Sequence, residues 1–276
     1  MKKIIACIDS SSLNKNVCES AINIAKMLNL KIYFLNVNEV LQDYATSFAM
    51  MGVMDPTHQY HIDYEIIKEL NESKDRAAEL KNTLGLYNKF ALNSGLDSQI
   101  IQEEGDLVVK IQSLCDDESI LVIGNSASSN QISRNLFDII KYAKSPIFTL
   151  SSNIQKVDKI LVAYDGSNTS DKILDFVCKN FKNAEKIILN LNESKEKSDQ
   201  ILSKAKETYS DENLKFISIH GSIDEMLDFA NKNEIDLIAC GAFNSNPIKR
   251  FFFGSFSAEL IEESKLPNSN NFIKNI

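Results

Sequence analysis

Two glycines near the end of the chain, Gly241 and Gly254, have the surroundings that backbone recognition of a phosphate group requires. Gly241 follows the apolar run 237–240, which is typical of a buried strand, and Gly254 opens a helical pattern together with Ser255. Glycine lets a ligand approach the backbone closely, and a helix N-terminus presents unbonded N–H groups at the positive end of the helix dipole. The Ser255 hydroxyl adds a further hydrogen-bonding group. The pattern therefore predicts an anion-binding loop between a strand and a helix.

Asp165 is the second candidate, because it ends an apolar run at the start of the second half of the sequence. The neighbouring Gly166 and Ser167 make an ordinary turn signal, so Asp165 is either a turn or cap residue or a ligand-binding carboxylate. Its position at the carboxyl end of a strand favours the second role. Lys249 and Arg250, which lie between the two glycines, are either electrostatic helpers or solvated surface charges.

The composition excludes several classes of function. A net charge of −8 argues against nucleic-acid or anionic-membrane binding as a main task, because both need a basic surface. The apolar stretch near the N-terminus is broken at Asp9, too early for a signal peptide, and no apolar run is long enough to span a membrane. The five cysteines are widely spaced, as expected for buried thiols in a reducing compartment. We therefore expect a cytoplasmic protein, and one without a metal site, since His58 and His61 have no ligand cluster around them.

Four sequence features recur in the same order in the two halves of the chain, which indicates a duplication. The first is the apolar run that ends at Asp9 or Asp165. The other three pair residues 31–37 with 186–191, 104–124 with 220–241, and 143–146 with 264–267. Gly105 lies 96 positions after Asp9, but Gly221 lies only 56 positions after Asp165. The first copy therefore carries an insert, roughly 40–99, which is Met-rich at 48–54 and continues with a long helical pattern over 60–94.

The elements that must position these residues alternate between strands and helices in both copies. Continuously apolar strands are typical of parallel sheets that are covered on both faces. Alternating β and α units imply right-handed crossovers, so we predict an α/β fold of two tandem, doubly wound, Rossmann-like domains. The boundary falls in the polar stretch 151–153, which gives domains of residues 1–152 and 153–276. Ligands bind beyond the carboxyl ends of the strands in such sheets, where Asp165 and Gly241 both lie.

Together these features resemble the universal stress protein family, and the tandem layout resembles its two-domain bacterial members. The likeness rests on Asp165 with Gly166 and Ser167, on the spacing from Gly241 to Gly254, and on the repeat order over essentially the whole chain. Nucleotide-binding members of that family hold ATP through the aspartate and the glycine loop. The resemblance thus implies a site for ATP, with or without Mg²⁺, in the second copy.

Carried over by position, the resemblance implies that Asp165 meets the ribose or the adenine. The residues implied to line the base pocket are Ala163, Tyr164 and Leu191. The residues implied to contact the ribose and the phosphates are Gly241, Asn244, Gly254, Ser255 and Phe256. Asn244 stands where the family has its second glycine. Asparagine tolerates left-handed backbone better than other non-glycine residues, so the loop keeps its path while the side chain either crowds the phosphates or offers them a donor.

The first copy departs further from the family pattern. It keeps Gly124, but Ser133 and Arg134 fall where the glycine–serine pair is expected. The resemblance then implies a first copy that binds no ATP and pairs with the second as an internal pseudo-dimer, since family dimers pair their last strands. The run 147–150 fits that role. Residues 268–276 are polar and turn-prone, so we expect this last pairing to be lopsided or partly missing.

We predict a stress-response or regulatory protein that binds ATP or another adenine nucleotide in its second copy. Its further partners are other proteins or a second chain in a homodimer, with no nucleic acid and no membrane. The alternative is an interaction scaffold that binds no nucleotide and offers the insert as an apolar partner surface. Catalysis beyond slow ATP hydrolysis is not expected, because the sequence offers no triad, acid–base pair or metal cluster.

Overall fold

The elements of the chain are those of an alternating α/β protein. The residues that the computed structural model describes are 1–9, 13–38, 75, 78–124, 135, 138–140, 142, 145–191, 194–209, 213–220, 223–240 and 271–274. Over these residues the strands are β1 (Lys3–Cys7), β2 (Lys31–Asn38), β3 (Ser98–Glu104), β4 (Ser119–Gly124), β5 (Ile147–Leu150), β6 (Lys159–Ala163), β7 (Glu185–Leu191), β8 (Leu214–Ile219), β9 (Leu237–Cys240) and β10 (Asn271–Lys274). The helices are α1 (Asn14–Leu28), α2 (78–93), α3 (Leu107–Leu114), α4 (Asn168–Asn180), α5 (Lys195–Thr208) and α6 (Ile223–Lys232).

All ten strands lie in one sheet, in the order β3-β2-β1-β4-β5-β10-β9-β6-β7-β8. Each half repeats the same order from the outside to the centre, and within each half the strands are parallel. The halves meet at an antiparallel pair, β5 with β10. All residues of β4 and β9 are buried, as expected for strands covered by helices on both faces. The prediction of two tandem, doubly wound domains joined as a pseudo-dimer is confirmed.

The last strand corrects one expectation from the sequence. The polar segment after Pro267 was expected to pair poorly, but β10 is hydrogen-bonded on both sides. Ile273 lies opposite Phe148 of β5 and Ala239 of β9, and its side chain is fully buried. Strand propensity depends on the neighbours that a residue packs against. A single buried isoleucine between two apolar strands therefore outweighs the weak local propensity of the segment.

The polar stretch at the predicted boundary is docked on α1 of the first copy. The Asn153 amide donates to Glu19 Oε2 at 2.6 Å, and the backbone N–H of Ile154 donates to Ser20 Oγ at 2.8 Å. The Asn23 amide in turn donates to the Ile154 carbonyl at 2.9 Å. Side chains of one helix thus satisfy the backbone of the connection between the copies. The exact division at residue 152 stays a prediction.

The core on one face of the sheet is shared between the copies. It is packed against α1, α2, α4 and α5, and it includes Ile154 and Val157 of the connection. The ring of Phe148 in the first copy lies 6.4 Å from that of Phe181 in the second. The opposite face has one separate cluster for each copy. Because this core contains residues of both copies, each copy stabilises the other, and the two are not independently folded units on this face of the sheet.

The insert contributes α2, whose residues Leu80, Leu84 and Ala91 are buried against the shared core. The predicted helical pattern over 60–94 is helical at residue 75 and over 78–93, and the helix ends one residue earlier than predicted, in a turn at Ser94. The Met-rich stretch 48–54 lies outside the described residues. Among the helices that the structure describes, none has the length and apolarity to cross a membrane.

Candidate functional site

A tight turn carries Asp165 at the carboxyl end of β6. Gly166 has a φ of +77°, a backbone conformation that glycine adopts without a steric cost. The backbone N–H of Ser167 donates to Asp165 Oδ1 at 3.0 Å, and Ser167 Oγ accepts from the N–H of Ser170 at 3.2 Å. Ser167 is therefore the residue that caps α4. Asp165 shapes the turn with one carboxylate oxygen, while the residue itself is exposed to solvent.

The carboxyl group of Asp165 is held in its ionised form. Although the residue is exposed, partial burial of the carboxyl group is the largest single influence and would raise its pKa, but hydrogen bonds from the Ser167 side chain and backbone and from Ser170 together outweigh it. The net result is a pKa below the ordinary value for aspartate. An ionised carboxylate accepts hydrogen bonds and donates none. The side chain is thus suited to sugar hydroxyls or an amino group and unsuited to a phosphate.

The equivalent aspartate of the first copy has a different environment. Asp9 is only 5% exposed, whereas Asp165 is exposed. Burial is also the main reason that the pKa of the nearby Cys7 thiol is raised, with smaller contributions from Cys115 and Asp9. A buried carboxylate offers little surface to a ligand. The two strand-end aspartates are therefore not equivalent as binding groups.

The structure divides the three residues of the predicted base pocket between the two faces of the sheet. Ala163 and Leu191 both pack against the cluster under α6. Tyr164 belongs to the core on the opposite face, where its hydroxyl donates to Asp171 Oδ1. The prediction placed the three together, but successive residues of a strand point to opposite sides. Ala163 and Leu191 are thus brought together, and the Tyr164 side chain is not with them.

The predicted phosphate residues Gly241, Asn244, Gly254, Ser255 and Phe256 lie outside the described residues, as do Lys249 and Arg250. The strand that leads to them is described. β9 ends at Cys240, and Cys240 is the register partner of Ala163 in β6. The chain therefore enters the glycine stretch directly beside β6, the strand that leads to Asp165. This is the point of the sheet where strand order reverses, between β6 and β9.

Gly124, which ends β4 in the first copy, has a packing role. A Cβ atom at this position would lie 3.2 Å from Val17 Cγ2 and 3.3 Å from Leu13 Cβ. Both side chains belong to the start of α1. The glycine therefore allows the helix to approach the end of β4, whatever the loop beyond it does.

Two polar residues near Asp165 were missed by the sequence reasoning. The buried Asn190 of β7 donates from its amide to the Tyr164 carbonyl at 2.7 Å, and Ser198 of α5 donates to Asn190 Oδ1 at 2.7 Å. In the first copy the Asn36 amide donates to the Ile8 carbonyl at 3.0 Å. For Asn190 the sequence does contain a signal, because a Leu-Asn pair interrupts the second apolar strand of both copies at the same place.

A family model for the "Universal stress protein family" matches residues 1–130 and 185–267. The chain belongs to the universal stress protein family. The two matched segments leave out residues 131–184, which contain β6 and Asp165. The structural repeat supplies that missing part, because β6 pairs with β7 and β9 as β1 pairs with β2 and β4.

Relatives cover this universal stress protein over nearly its whole length. Universal stress protein Slr1230 of Synechocystis sp. (strain ATCC 27184 / PCC 6803 / Kazusa) is 23% identical, over 97% of this chain and 98% of its own. The crystal structure of a universal stress protein from Archaeoglobus fulgidus DSM 4304 has a TM-score of 0.67 at 18% identity, covering 99% of this chain and 95% of that chain. A functionally unknown protein, PA1789, from Pseudomonas aeruginosa PAO1 has a TM-score of 0.55 at 12% identity, covering 99% and 92%. At these identities the solved structures share the fold.

Proposed function

We propose that this universal stress protein binds an adenine nucleotide, ATP with or without Mg²⁺, in its second copy and acts as a regulatory protein in the cytoplasm. The observation that carries the proposal is the contrast between the two strand-end aspartates. Asp165 is exposed, ionised and held in a defined turn, whereas Asp9 is buried. A nucleoside offers hydroxyl and amino donors, which are the groups that an ionised carboxylate accepts from.

The surroundings of Asp165 support the same ligand. Ala163 and Leu191 give an apolar surface on one face of the sheet, next to the carboxyl end of β6. The chain leaves β9 beside Ala163 and then enters the stretch with Gly241 and Gly254. An apolar patch, a carboxylate and a glycine-rich stretch are the elements that a base, a ribose and phosphates need in turn.

The first copy has a structural role in this proposal. Gly124 is accounted for by the approach of α1, and β5 supplies half of the central antiparallel pair. The shared core then keeps the second copy folded. Binding is the main task of the protein, and any hydrolysis of ATP is slow. Steady-state release of phosphate from ATP measures that hydrolysis separately from binding.

Equilibrium dialysis with ATP and MgCl₂ tests the proposal, using wild type, Asp165→Asn and Asp9→Asn. Asparagine keeps the carbonyl oxygen that accepts from Ser167, so the turn survives while the charge is lost. A hydrogen bond to a charged group contributes about 1.5–3 kcal/mol, so we expect Asp165→Asn to weaken binding about tenfold or more. Asp9→Asn should stay within about twofold of wild type. No binding by the wild type at millimolar ATP would refute the proposal.

A second candidate function is the interaction scaffold, and the surface of α2 favours it. Leu86 is 68% exposed and Phe90 is 53% exposed, so α2 presents two large apolar side chains, one turn apart, to solvent. Beside them a groove of about 680 Å³ lies between α2 and the edge strand β3, lined by Lys81, Lys89 and Gly85 among others. Lysines in a chain of net charge −8 make this groove complementary to an acidic segment of a protein partner.

Affinity purification with wild type, Leu86→Glu and Val109→Glu separates this function from non-specific capture. Val109 is a matched control because it is 59% exposed on α3, away from the groove. We expect one identified acidic partner to bind wild type and Val109→Glu, with binding that weakens in salt, and to be lost from Leu86→Glu. Equal recovery of that partner by all three proteins would exclude this surface, as would a partner that is not acidic.

A further inference from the structure

A buried chain of hydrogen bonds connects α5 to the peptide that precedes Asp165. Ser198 Oγ donates to Asn190 Oδ1, and the Asn190 amide donates to the Tyr164 carbonyl, both at 2.7 Å. Ser198 is fully buried and Asn190 is 1% exposed. Buried hydrogen bonds of this length restrict both partners to one orientation, because an unmade bond in such a place is costly.

The orientation of the Tyr164 carbonyl fixes a second group. The Tyr164 C=O and the Asp165 N–H belong to the same planar peptide unit. Holding the carbonyl towards Asn190 therefore sets the direction of the Asp165 N–H and the point from which the Asp165 side chain leaves the backbone. We call the two hydrogen bonds, from Ser198 to Asn190 and from Asn190 to the Tyr164 carbonyl, the relay. The relay acts on the candidate ligand-binding carboxylate of Asp165 through this one planar peptide unit.

A second contact between α5 and the turn acts on the next residue. A Cβ atom on Gly166 would lie 3.2 Å from Ile201 Cγ2, so the Ile201 side chain lies directly against the turn. Ser198 and Ile201 are three positions apart, on the same side of α5. The helix thus contacts the turn through a hydrogen-bonded relay on one side of Asp165 and through packing on the other.

The first copy has only part of this arrangement in the residues that are described. Asn36 donates to the Ile8 carbonyl at 3.0 Å, as Asn190 does to Tyr164, but Asn36 is partly exposed. The buried relay to a helix hydroxyl belongs to the copy whose aspartate is exposed. The more completely buried hydrogen bonds thus lie in the copy that is proposed to bind the nucleotide.

We propose that Ser198 and Asn190 are positioning residues for nucleotide binding, which hold the Tyr164–Asp165 peptide in the orientation that the ligand requires. The inference rests on the proposed nucleotide site. Neither side chain needs to touch the ligand, because both act through Asp165. Loss of the Ser198 hydroxyl leaves Asn190 Oδ1 without this donor and frees the amide to turn, so the peptide is no longer held.

The experiment measures the Kd for ATP with MgCl₂ in wild type, Ser198→Ala and Ser198→Thr. We expect about fivefold weaker binding for Ser198→Ala, in line with the loss of one neutral hydrogen bond. Threonine keeps the hydroxyl and should restore most of the affinity. Asn36→Ala is the matched control in the first copy and should bind within about twofold of wild type. Cooperative thermal unfolding of each variant confirms that it is folded.

A double-mutant cycle shows whether the relay acts through Asp165. In an Asp165→Asn background, Ser198→Ala should change the Kd by less than about twofold, because the group that the relay positions has already been replaced. Unchanged binding by Ser198→Ala, or the same loss in both backgrounds, would overturn the inference while the nucleotide site stands. Absence of ATP binding by the wild type would overturn the proposed function and the inference with it.

Discussion

Replacement of Gly166 by alanine is the sharpest test of how the turn at Asp165 is held. Its φ of +77° is a conformation that costs an L-residue about 1–2 kcal/mol. The new Cβ would also lie 3.2 Å from Ile201 Cγ2, which must shift by a few tenths of an ångström. The two effects add, so we expect Gly166→Ala to lower the free energy of unfolding by at least about 1–2 kcal/mol. In a protein of this size about 1–2 kcal/mol corresponds to a melting temperature lower by roughly 2–4 °C.

Gly85 provides a control in which the same substitution has the opposite effect. It lies inside α2, and a Cβ there would have no atom within 4 Å. Alanine is favoured over glycine in a helix interior by about 0.5–1 kcal/mol, so Gly85→Ala should stabilise the protein. Thermal and urea unfolding followed by circular dichroism measures both variants. If Gly166→Ala is as stable as wild type, the turn does not hold this residue at positive φ, and the argument that α5 fixes the turn fails.

Three further predictions concern the β5–β10 pair at the centre of the sheet, the connection between the two copies and the charge of Asp165. Ile273→Asp places a carboxylate between β5 and β9 and should cost at least about 3 kcal/mol of unfolding free energy. We expect this variant to be cleaved rapidly by a protease. The control Leu86→Asp, on the exposed face of α2, should stay resistant to the same protease. Ser20→Ala removes the acceptor for the Ile154 N–H and should lower the urea stability by about 1–3 kcal/mol; an unchanged urea midpoint would show that the connection is not held by α1. The folded-state pKa of Asp165 lies below its unfolded value, so its contribution is present above about pH 3.9 and is lost as the pH falls through the lower folded value. The stability difference between wild type and Asp165→Asn should therefore be present at pH 7 and shrink as the pH falls below about 3.9, and a difference that grows in acid would contradict the assignment.

The fold could be predicted from the sequence because its signals are repeated and local. Apolar runs such as 119–124 and 237–240 are too continuous for half-exposed strands, and the alternation with helical patterns leaves few topologies. β10 could not be predicted in the same way. Its stability comes from Phe148 and Ala239, which are distant in sequence, and a local pattern contains no information about such neighbours.

The candidate site shows a similar division. Asp165 was found from its position after an apolar run, and its exposure and ionisation came only from the structure. Strand alternation already implies that the Tyr164 side chain points to the face opposite that of Ala163. The family resemblance nevertheless assigned both residues to one pocket. Ser198 could not be found, because a serine in a polar helix carries no sign that it faces the core until the helix is placed.

The antiparallel pair at the centre of the sheet has a consequence for the order in which the protein is made. β5 is complete before synthesis of the second copy begins, but β10 appears only after the whole of β6–β9. Until then β5 has an open edge, which is a template for any extended strand. A second nascent chain can offer its own β10 in the same register, so crowded synthesis favours chains with exchanged last strands. The β5–β10 pair that joins the copies within one molecule is thus also the place where two molecules can exchange strands.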